Sequence, residues 1–253
     1  MKLMKWLYLF GIACIFVSCA GTKKTTLYLI GDSTVKSGEG QGENQHWGWG
    51  SFFDQYFTIP VENHAKGGRS TRTFITEGRW DSVLNRLKPG DYILMQFGHN
   101  DQSPMDDTAR ARGTLKGIAE DSVEIYNPLL QKKEVVYTYG KYLRKYIDEA
   151  REKKATIIVL SPVPRVRWVE GKIVSMDDYA VWAEEIAKEK SVPYINLNQL
   201  ISDEYSRLGE EKVLKFFPSD KTHTNEAGAK LIAERLAKMI NKENSQGLYK
   251  YKN

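Results

Sequence analysis

Short apolar runs alternate along the chain with longer segments that have helical patterns. Five runs have the length of buried strands, the last of them being a weaker candidate: 27–30, 92–97, 156–160, 193–197 and 59–63. Three longer segments have the pattern of helices that bury one face: 135–154, 176–190 and 225–240. Strands that alternate with helices form βαβ units, so the pattern predicts an α/β domain built on a parallel sheet.

The segment from 106 to 133 fits neither pattern. It contains Gly113, Gly117 and Pro128, which interrupt regular structure. The sequence predicts a long excursion or a hairpin here, and such a segment within a compact domain is often functional.

Polar residues and glycines follow three of the predicted strands, at the point where each strand ends. The segments are Gly-Asp-Ser-Thr at 31–34, Asn-His-Ala-Lys-Gly-Gly-Arg-Ser at 63–70 and Gly-His-Asn-Asp at 98–101. Open parallel sheets bind ligands beyond the carboxyl ends of their strands. The three segments therefore predict a single binding edge.

The composition is that of one globular domain, with 41% hydrophobic and 27% charged residues in 253. The formal charge is +5, and without residues 1–18 it is +3, from 35 basic and 32 acidic side chains. This mild excess fits an anionic substrate without requiring one. The chain lacks the clustered Lys/Arg run of a nucleic-acid binder, so no nucleic-acid partner is expected.

The N-terminus has the pattern of an export signal. Lys2 and Lys5 precede an apolar run at 6–17, which is short for a membrane span. Phe-Val-Ser before Cys19 resembles a lipobox, so we expect a lipoprotein signal peptide at 1–18, a lipidated Cys19 and a tether at 19–25. The protein would then be exported to the periplasm or outer membrane of a Gram-negative bacterium. The alternative is a plain secretory signal cut near Ala20.

Only two cysteines are present, Cys14 and Cys19, and both lie in this N-terminal segment. The sequence therefore excludes a disulfide framework, a cysteine nucleophile and a cysteine metal site in the domain.

Three residues have the chemistry of a serine hydrolase. Ser33 lies at a predicted strand-to-helix turn, where a hydroxyl is exposed and backbone N–H groups face an anion. Asp220 and His223 are three residues apart, so the carboxylate can hold Nδ1 and leave Nε2 facing a serine hydroxyl. The alternative is structural, with Ser33 capping one helix and Asp220 or Thr224 capping another.

Gly68 and Asn100 have the chemistry of an oxyanion hole. A glycine N–H permits a close backbone approach, and an asparagine amide adds a second fixed donor. The alternative is that both positions belong to ordinary turns.

Four motifs stand in order along the chain: Gly-Asp-Ser at 31–33, Gly-Gly-Arg-Ser at 67–70, Gly-His-Asn-Asp at 98–101 and Asp-x-x-His at 220–223. This order resembles the SGNH (GDSL-type) hydrolases. The resemblance implies a three-layer α/β/α sandwich with a five-stranded parallel sheet of the flavodoxin-like type, over 26–242, followed by a C-terminal tail at 243–253. It also implies a catalytic triad of Ser33, Asp220 and His223. The implied oxyanion hole consists of Ser33, Gly68 and Asn100, with the pair Gly67-Gly68 leaving a shift of one residue open.

Finer motifs resemble the rhamnogalacturonan acetylesterase branch of that superfamily: 65–74, 97–101, 110–114, 160–165 and 222–225. This resemblance covers 27–240 and implies a carboxylic ester hydrolase that releases acetate from acetylated pectic polysaccharide through an acetyl-enzyme. Arg69 and Arg72 are expected to bind substrate carboxylates. His99 is expected to be structural. No cofactor or metal is expected, and the protein is expected to be a monomer.

Three alternatives remain open at this point. The chain could deacetylate another glycan such as xylan, it could hydrolyse lipid esters or thioesters with the same triad, or it could be a non-catalytic glycan-binding lipoprotein. Four arginines near the motifs argue against an apolar acyl channel: Arg69, Arg72, Arg110 and Arg112.

Overall fold

The computed structural model describes residues 24–174 and 178–253. The strands in these ranges are β1 (Leu27–Gly31), β2 (Val61–Asn63), β3 (Tyr92–Gln96), β4 (Ser122–Asn127), β5 (Lys132–Tyr137), β6 (Thr156–Leu160), β7 (Trp168–Val169), β8 (Lys172–Ile173) and β9 (Tyr194–Ile195). The α-helices are α1 (Thr71–Thr76), α2 (Arg79–Leu84), α3 (Tyr139–Glu152), α4 (Asp178–Glu189), α5 (Leu197–Leu208), α6 (Glu210–Leu214) and α7 (Glu226–Met239). Within the described ranges, no helix has the length and apolar character needed to cross a membrane.

Five parallel strands form the central sheet, in the order β2-β1-β3-β6-β9. All five were predicted from the apolar runs. Because the chain moves from β1 to β2 on one side and then to β3 on the other, the sheet has the flavodoxin-like order with its switch point between β1 and β3. Ligands are bound beyond the carboxyl ends of the strands at this point in such sheets.

Each face of the sheet carries its own hydrophobic core. Leu27 and Leu29 pack on one face with α5 and α7, whereas Tyr28 and Ile30 pack on the other with α1 to α4. Successive side chains of a strand point to opposite faces, so a strand covered on both sides is a continuous apolar run. The predicted three-layer α/β/α sandwich is confirmed.

The helix predicted at 135–154 begins later than expected. Residues 132–137 form β5, which pairs antiparallel with β4, and α3 starts at Tyr139. Thr138 caps the helix by accepting a hydrogen bond from the Lys141 N–H. The apolar stretch at 135–137 is β-branched and aromatic and suits a strand, so a run this short does not by itself distinguish helix from strand. The other predicted helices correspond to α4 and α7, with residues 175–177 outside the described ranges.

Residues 243–253, which were predicted as a C-terminal tail, pack against the domain. Leu248 is fully buried in the core beside α5 and α7, and Lys252 forms a β-bridge with Phe57. The Asn253 N–H donates to the carbonyl of Tyr56 at 3.0 Å. The segment ends in a single 3₁₀ turn at 248–251, which is too short to produce a periodic pattern in the sequence.

The signal peptide at 1–18, the lipidated Cys19 and most of the tether lie outside the described residues.

Candidate active site

Ser33 is held at the carboxyl end of β1 by a tight turn. A Cβ on Gly31 would lie 2.5 Å from the carbonyl oxygen of Gln96 in β3, so only glycine fits there. Asp32 is fully buried, and its carboxylate accepts hydrogen bonds from the N–H and the hydroxyl of Thr34. The turn therefore places the Ser33 side chain at the switch-point crevice.

The structure brings Ser33, His223 and Asp220 into one hydrogen-bonded chain. Ser33 Oγ lies 2.8 Å from His223 Nε2, and His223 Nδ1 lies 2.6 Å from Asp220 Oδ2. The other Asp220 oxygen accepts from the N–H groups of Thr222 and His223, both at 2.7 Å. This is the arrangement in which an imidazole removes the proton of a serine hydroxyl while a carboxylate orients the ring.

The electrostatics of Asp220 suit that orienting role. Partial burial raises the pKa of its carboxyl, but hydrogen bonds from the His223 side chain and from two backbone N–H groups outweigh burial and lower the pKa to about 2. The carboxylate is therefore charged at neutral pH and accepts the Nδ1 proton. The tautomer that results leaves Nε2 free to accept the proton of Ser33.

Gly68 and Asn100 line the same cavity as Ser33 and His223, which has a volume of about 640 Å³. Gly68 has a φ of +81°, a left-handed conformation that favours glycine. Asn100 Nδ2 donates one hydrogen to the Arg69 carbonyl at 2.8 Å, which fixes the amide and leaves its second hydrogen for another acceptor. Within the described ranges, the backbone N–H groups of Ser33 and Gly68 have no hydrogen-bond acceptor.

We expect Asn100→Ala to lower kcat on a small acetyl ester by a factor on the order of 10²–10³, because it removes one preorganised donor to the oxyanion. Steady-state hydrolysis of nitrophenyl acetate measures this change. Asn85→Ala, at an exposed position after α2, is the matched control and should retain full activity. A loss below about threefold for Asn100→Ala would exclude it from the oxyanion hole.

His99 connects three loops, as the sequence predicted. Its Nδ1 lies 3.3 Å from Asp32 Oδ2 and its Nε2 lies 2.9 Å from the Val163 carbonyl. Burial raises the pKa of Asp32, but the charge of the His99 ring and hydrogen bonds from His99 and Thr34 outweigh it and lower the pKa below its ordinary value. These contacts tie the ends of β1, β3 and β6 together under the cavity.

The prediction that Arg72 binds substrate is wrong. Its side chain is fully buried, and its Nε lies 3.4 Å from Glu134 Oε1, whose side chain is itself nearly buried. The same guanidinium donates to the carbonyls of Met105 and Ala111. Arg72 therefore joins α1 to the 104–112 loop and to β5, instead of facing the cavity. The sequence shows that Arg72 is charged, but it does not show that the folded chain will bury Arg72 against Glu134, which is 62 positions away.

We expect Arg72→Ala to lower the free energy of unfolding by about 3–5 kcal/mol, because it leaves Glu134 buried and unpaired. Urea denaturation measures this loss. Arg86→Ala is the matched control, since its side chain is mostly exposed and its ion pair with Glu62 is worth about 1 kcal/mol or less. Equal losses for the two variants would contradict the anchoring role.

Arg69 lies at the cavity, but Glu77 already neutralises it. Both carboxylate oxygens of Glu77 accept from Arg69 Nε, at 3.1 and 3.0 Å. Sequence reasoning did not assign substrate contacts to Arg112 and Arg165, which also line the cavity. Both donate to neutral oxygens: Arg112 to the Ser103 hydroxyl and the Gly68 carbonyl, and Arg165 to the Thr222 hydroxyl and the His99 carbonyl.

A further residue that the sequence did not single out packs on His223. The imidazole of His46 stacks on that of His223, with ring centroids 4.9 Å apart and planes 20° apart. His46, Asp220 and His223 are also the one group of described His, Cys, Asp or Glu residues whose ligand atoms are close enough for a metal, all within 4.8 Å. Imidazole lone pairs lie in the ring planes, however, and nearly parallel planes do not direct them at one ion. Hydrogen bonds already occupy the carboxylate of Asp220 and both ring nitrogens of His223, which also disfavours a metal.

The sequence of this chain is similar to that of known hydrolases. The sequence profile of the GDSL-like lipase/acylhydrolase family matches residues 29–231. The chain is 35% identical to the probable rhamnogalacturonan acetylesterase YesY of Bacillus subtilis, over 85% of this chain and 91% of that protein. It is 30% identical to the rhamnogalacturonan acetylesterase of Emericella nidulans, over 85% of this chain and 84% of that protein.

Among solved structures, the chain is similar to the YXIM protein of Bacillus subtilis. The TM-score is 0.68 at 27% identity, and the match covers 85% of this chain and 56% of that one.

Proposed function

Since the chain belongs to the GDSL-like lipase/acylhydrolase family, we propose that it is a serine esterase that releases acetate from acetylated rhamnogalacturonan. Its sequence similarity to rhamnogalacturonan acetylesterases shows that it is a carboxylic ester hydrolase. The single observation that carries the catalytic assignment is the hydrogen-bonded chain from Ser33 through His223 to Asp220.

The reaction proceeds in two steps. His223 Nε2 takes the proton of Ser33 as Ser33 Oγ attacks the acetyl carbonyl carbon, and the carbonyl π electrons move to the oxygen. The N–H groups of Ser33 and Gly68 and the amide of Asn100 hold this oxyanion. When the intermediate collapses, the C–O bond to the sugar breaks and the sugar oxygen takes the proton from His223. Water, activated by the same imidazole, then releases acetate and restores Ser33.

The cavity wall supports an acidic substrate. Five cationic side chains line it: Lys66, Arg69, Arg110, Arg112 and Arg165. Lys66 and Arg69 are paired with carboxylates of the chain, whereas Arg112 and Arg165 are not paired in this way within the described residues. A guanidinium binds a carboxylate through two parallel hydrogen bonds, and galacturonic acid presents one carboxylate per residue. Most of the side chains that line the described part of the cavity are polar or charged, which favours a polar substrate over a long apolar acyl chain.

Acetate release from a panel of acetylated glycans tests the substrate. We expect acetylated rhamnogalacturonan to be preferred to acetylated xylan, and its hydrolysis to fall with added salt, since exposed charges are screened over about 8–10 Å at physiological strength. Arg112→Ala should raise KM for the pectic substrate and leave nitrophenyl acetate hydrolysis nearly unchanged. A preference for neutral acetylated xylan would refute the acidic substrate. So would an equal effect of salt on the hydrolysis of acetylated rhamnogalacturonan and of acetylated xylan.

We also propose that the protein is a monomer that is exported to the periplasm or outer membrane of a Gram-negative bacterium and is anchored by lipid on Cys19. The basic n-region, the apolar run at 6–17 and the lipobox-like Phe-Val-Ser-Cys support this location. Mass spectrometry of the mature N-terminal peptide decides between a lipidated Cys19 and an unmodified terminus near Ala20.

A further inference from the structure

The β4–β5 hairpin presents an unusual amount of apolar surface. Of the nine large hydrophobic side chains exposed in the described ranges, five lie on this hairpin: Val123, Tyr126, Leu129, Leu130 and Val135. The strand register places Tyr126 and Val135 on one face of the hairpin and Val123 on the other. Grouped exposed apolar side chains mark a binding surface more often than scattered ones do.

The tip of the hairpin reaches the catalytic cavity. Leu129 is 51% exposed and lines the same cavity as Ser33 and His223. Arg110 and Arg112 line that cavity as well. The same cavity therefore offers both an apolar side chain and guanidinium groups to a ligand.

Two sets of contacts hold the hairpin in this position. The side-chain Oδ1 of Asn127 accepts from the N–H groups of Leu129 and Leu130, which closes the turn. Within β5, Glu134 pairs with the buried Arg72, which also binds the Ala111 carbonyl beside Arg112. Arg72 thus couples the apolar tip to the loop that carries the cationic side chains.

We propose that the β4–β5 hairpin is a substrate-binding arm whose Leu129 contacts the methyl face of a deoxysugar next to the acetylated residue. This inference rests on the proposed function. Rhamnogalacturonan alternates a 6-deoxy sugar, which carries a methyl group, with a uronic acid, which carries a carboxylate. The apolar tip and the guanidinium groups that line the same cavity match this alternation, whereas xylan has no methyl-bearing deoxysugar and acetylated homogalacturonan has only the carboxylates.

The test compares Leu129→Ser with Leu214→Ser, a leucine of similar exposure on α6 outside the cavity. We expect Leu129→Ser to raise KM for acetylated rhamnogalacturonan oligosaccharides about tenfold, in line with the loss of one buried leucine contact. It should leave acetylated homogalacturonan and nitrophenyl acetate nearly unchanged, and Leu214→Ser should leave all three unchanged.

Equal KM values for Leu129→Ser and Leu214→Ser on rhamnogalacturonan would overturn the binding arm. So would a wild-type dimer in sedimentation that Leu130→Ser dissociates, because a second copy would then occupy the hairpin. If the wild type itself fails to release acetate from rhamnogalacturonan while it hydrolyses nitrophenyl acetate, the proposed substrate fails instead.

Independently of the hairpin, residues 46–47 pack on the loop that carries Asp220 and His223. His46 stacks on His223, and its Nε2 lies 2.6 Å from Ser219 Oγ. In the next residue, the Trp47 N–H donates to the Thr224 carbonyl at 2.8 Å. The loop that carries Asp220 and His223 has no regular secondary structure, so these contacts fix it from one side.

We infer that His46 is a positioning residue that holds the His223 ring in the plane needed for proton transfer. A stacked aromatic ring restricts rotation of the imidazole and excludes water from one of its faces. Burial and the neighbouring His223 lower the pKa of His46, which keeps its ring neutral beside an imidazolium. This inference also rests on the role of His223 as base.

Three variants separate the ring contact from the hydrogen bond to Ser219. We expect His46→Ala and His46→Gln to lower kcat on nitrophenyl acetate about threefold to tenfold with KM unchanged, and His46→Phe to restore most of kcat. His64→Ala, whose ring pairs with Glu62 elsewhere, is the control and should match the wild type.

If His46→Gln but not His46→Phe retained the wild-type kcat, the hydrogen bond to Ser219 and not the stacked ring would position His223. Equal values of kcat in all three variants would also overturn the role of the ring. If His223→Ala retains activity, the role of His223 as base fails, which is a different outcome from the failure of His46 alone.

Discussion

Ser33→Ala is expected to reduce kcat by at least about 10⁴-fold on any acetyl ester, because it removes the atom that becomes acylated. The fold should survive. Ser33 Oγ contacts His223 at the edge of the cavity and not the core, so the loss of one hydroxyl leaves no cavity behind. The free energy of unfolding should therefore change by less than about 1 kcal/mol.

Acetate release and thermal unfolding of the same preparation measure both parts of this expectation. Ser82→Ala, which removes a hydroxyl from an exposed position on α2, is the matched control and should keep full activity. If Ser33→Ala kept more than about one hundredth of wild-type activity, Ser33 would not be the nucleophile.

His223→Ala is expected to cost nearly as much as Ser33→Ala, since residues that act as one unit do not contribute additively. The double variant should be no slower than either single variant. In the wild type, the rate should fall on acidification, because Nε2 must be unprotonated to accept the proton of Ser33. The Asp220 pKa of about 2 keeps that carboxylate charged over the working range, so Asp220 does not produce this acid limb.

The pH dependence of kcat/KM on nitrophenyl acetate measures this limb, with His64→Ala as the control that should retain it. A flat profile from mildly acidic to alkaline pH, with chemistry rate-limiting, would exclude His223 as the base. An additive double variant would show that the two residues act in separate steps.

The sequence by itself determined the sheet and the edge at which ligands bind. Strands covered on both faces must be apolar throughout, so β1, β3 and β6 are visible as uninterrupted runs such as 27–30. Because parallel strands end at the same edge, the polar segments after β1, β2 and β3 had to converge. The spacing of Asp220 and His223 is local, so their hydrogen bond also followed from the sequence.

Some elements are too short to show a periodic sequence pattern, and their structure depends on the elements that they pack against. The residues 135–137 became a strand because β4 lies beside them, and Leu248 became core because α5 and α7 leave an apolar surface for it. A single strand or a single turn carries too few residues for its pattern to identify it.

Only the tertiary structure decided which charged and aromatic side chains face the cavity. Arg69 and Arg72 are three residues apart in the sequence, yet one lines the cavity and the other is buried against Glu134. Likewise, His46 reaches His223 across 177 positions. A residue's type determines what chemistry it can do, but burial and partners arise from contacts between distant segments, and these exist only once the sheet and its two helical layers have formed.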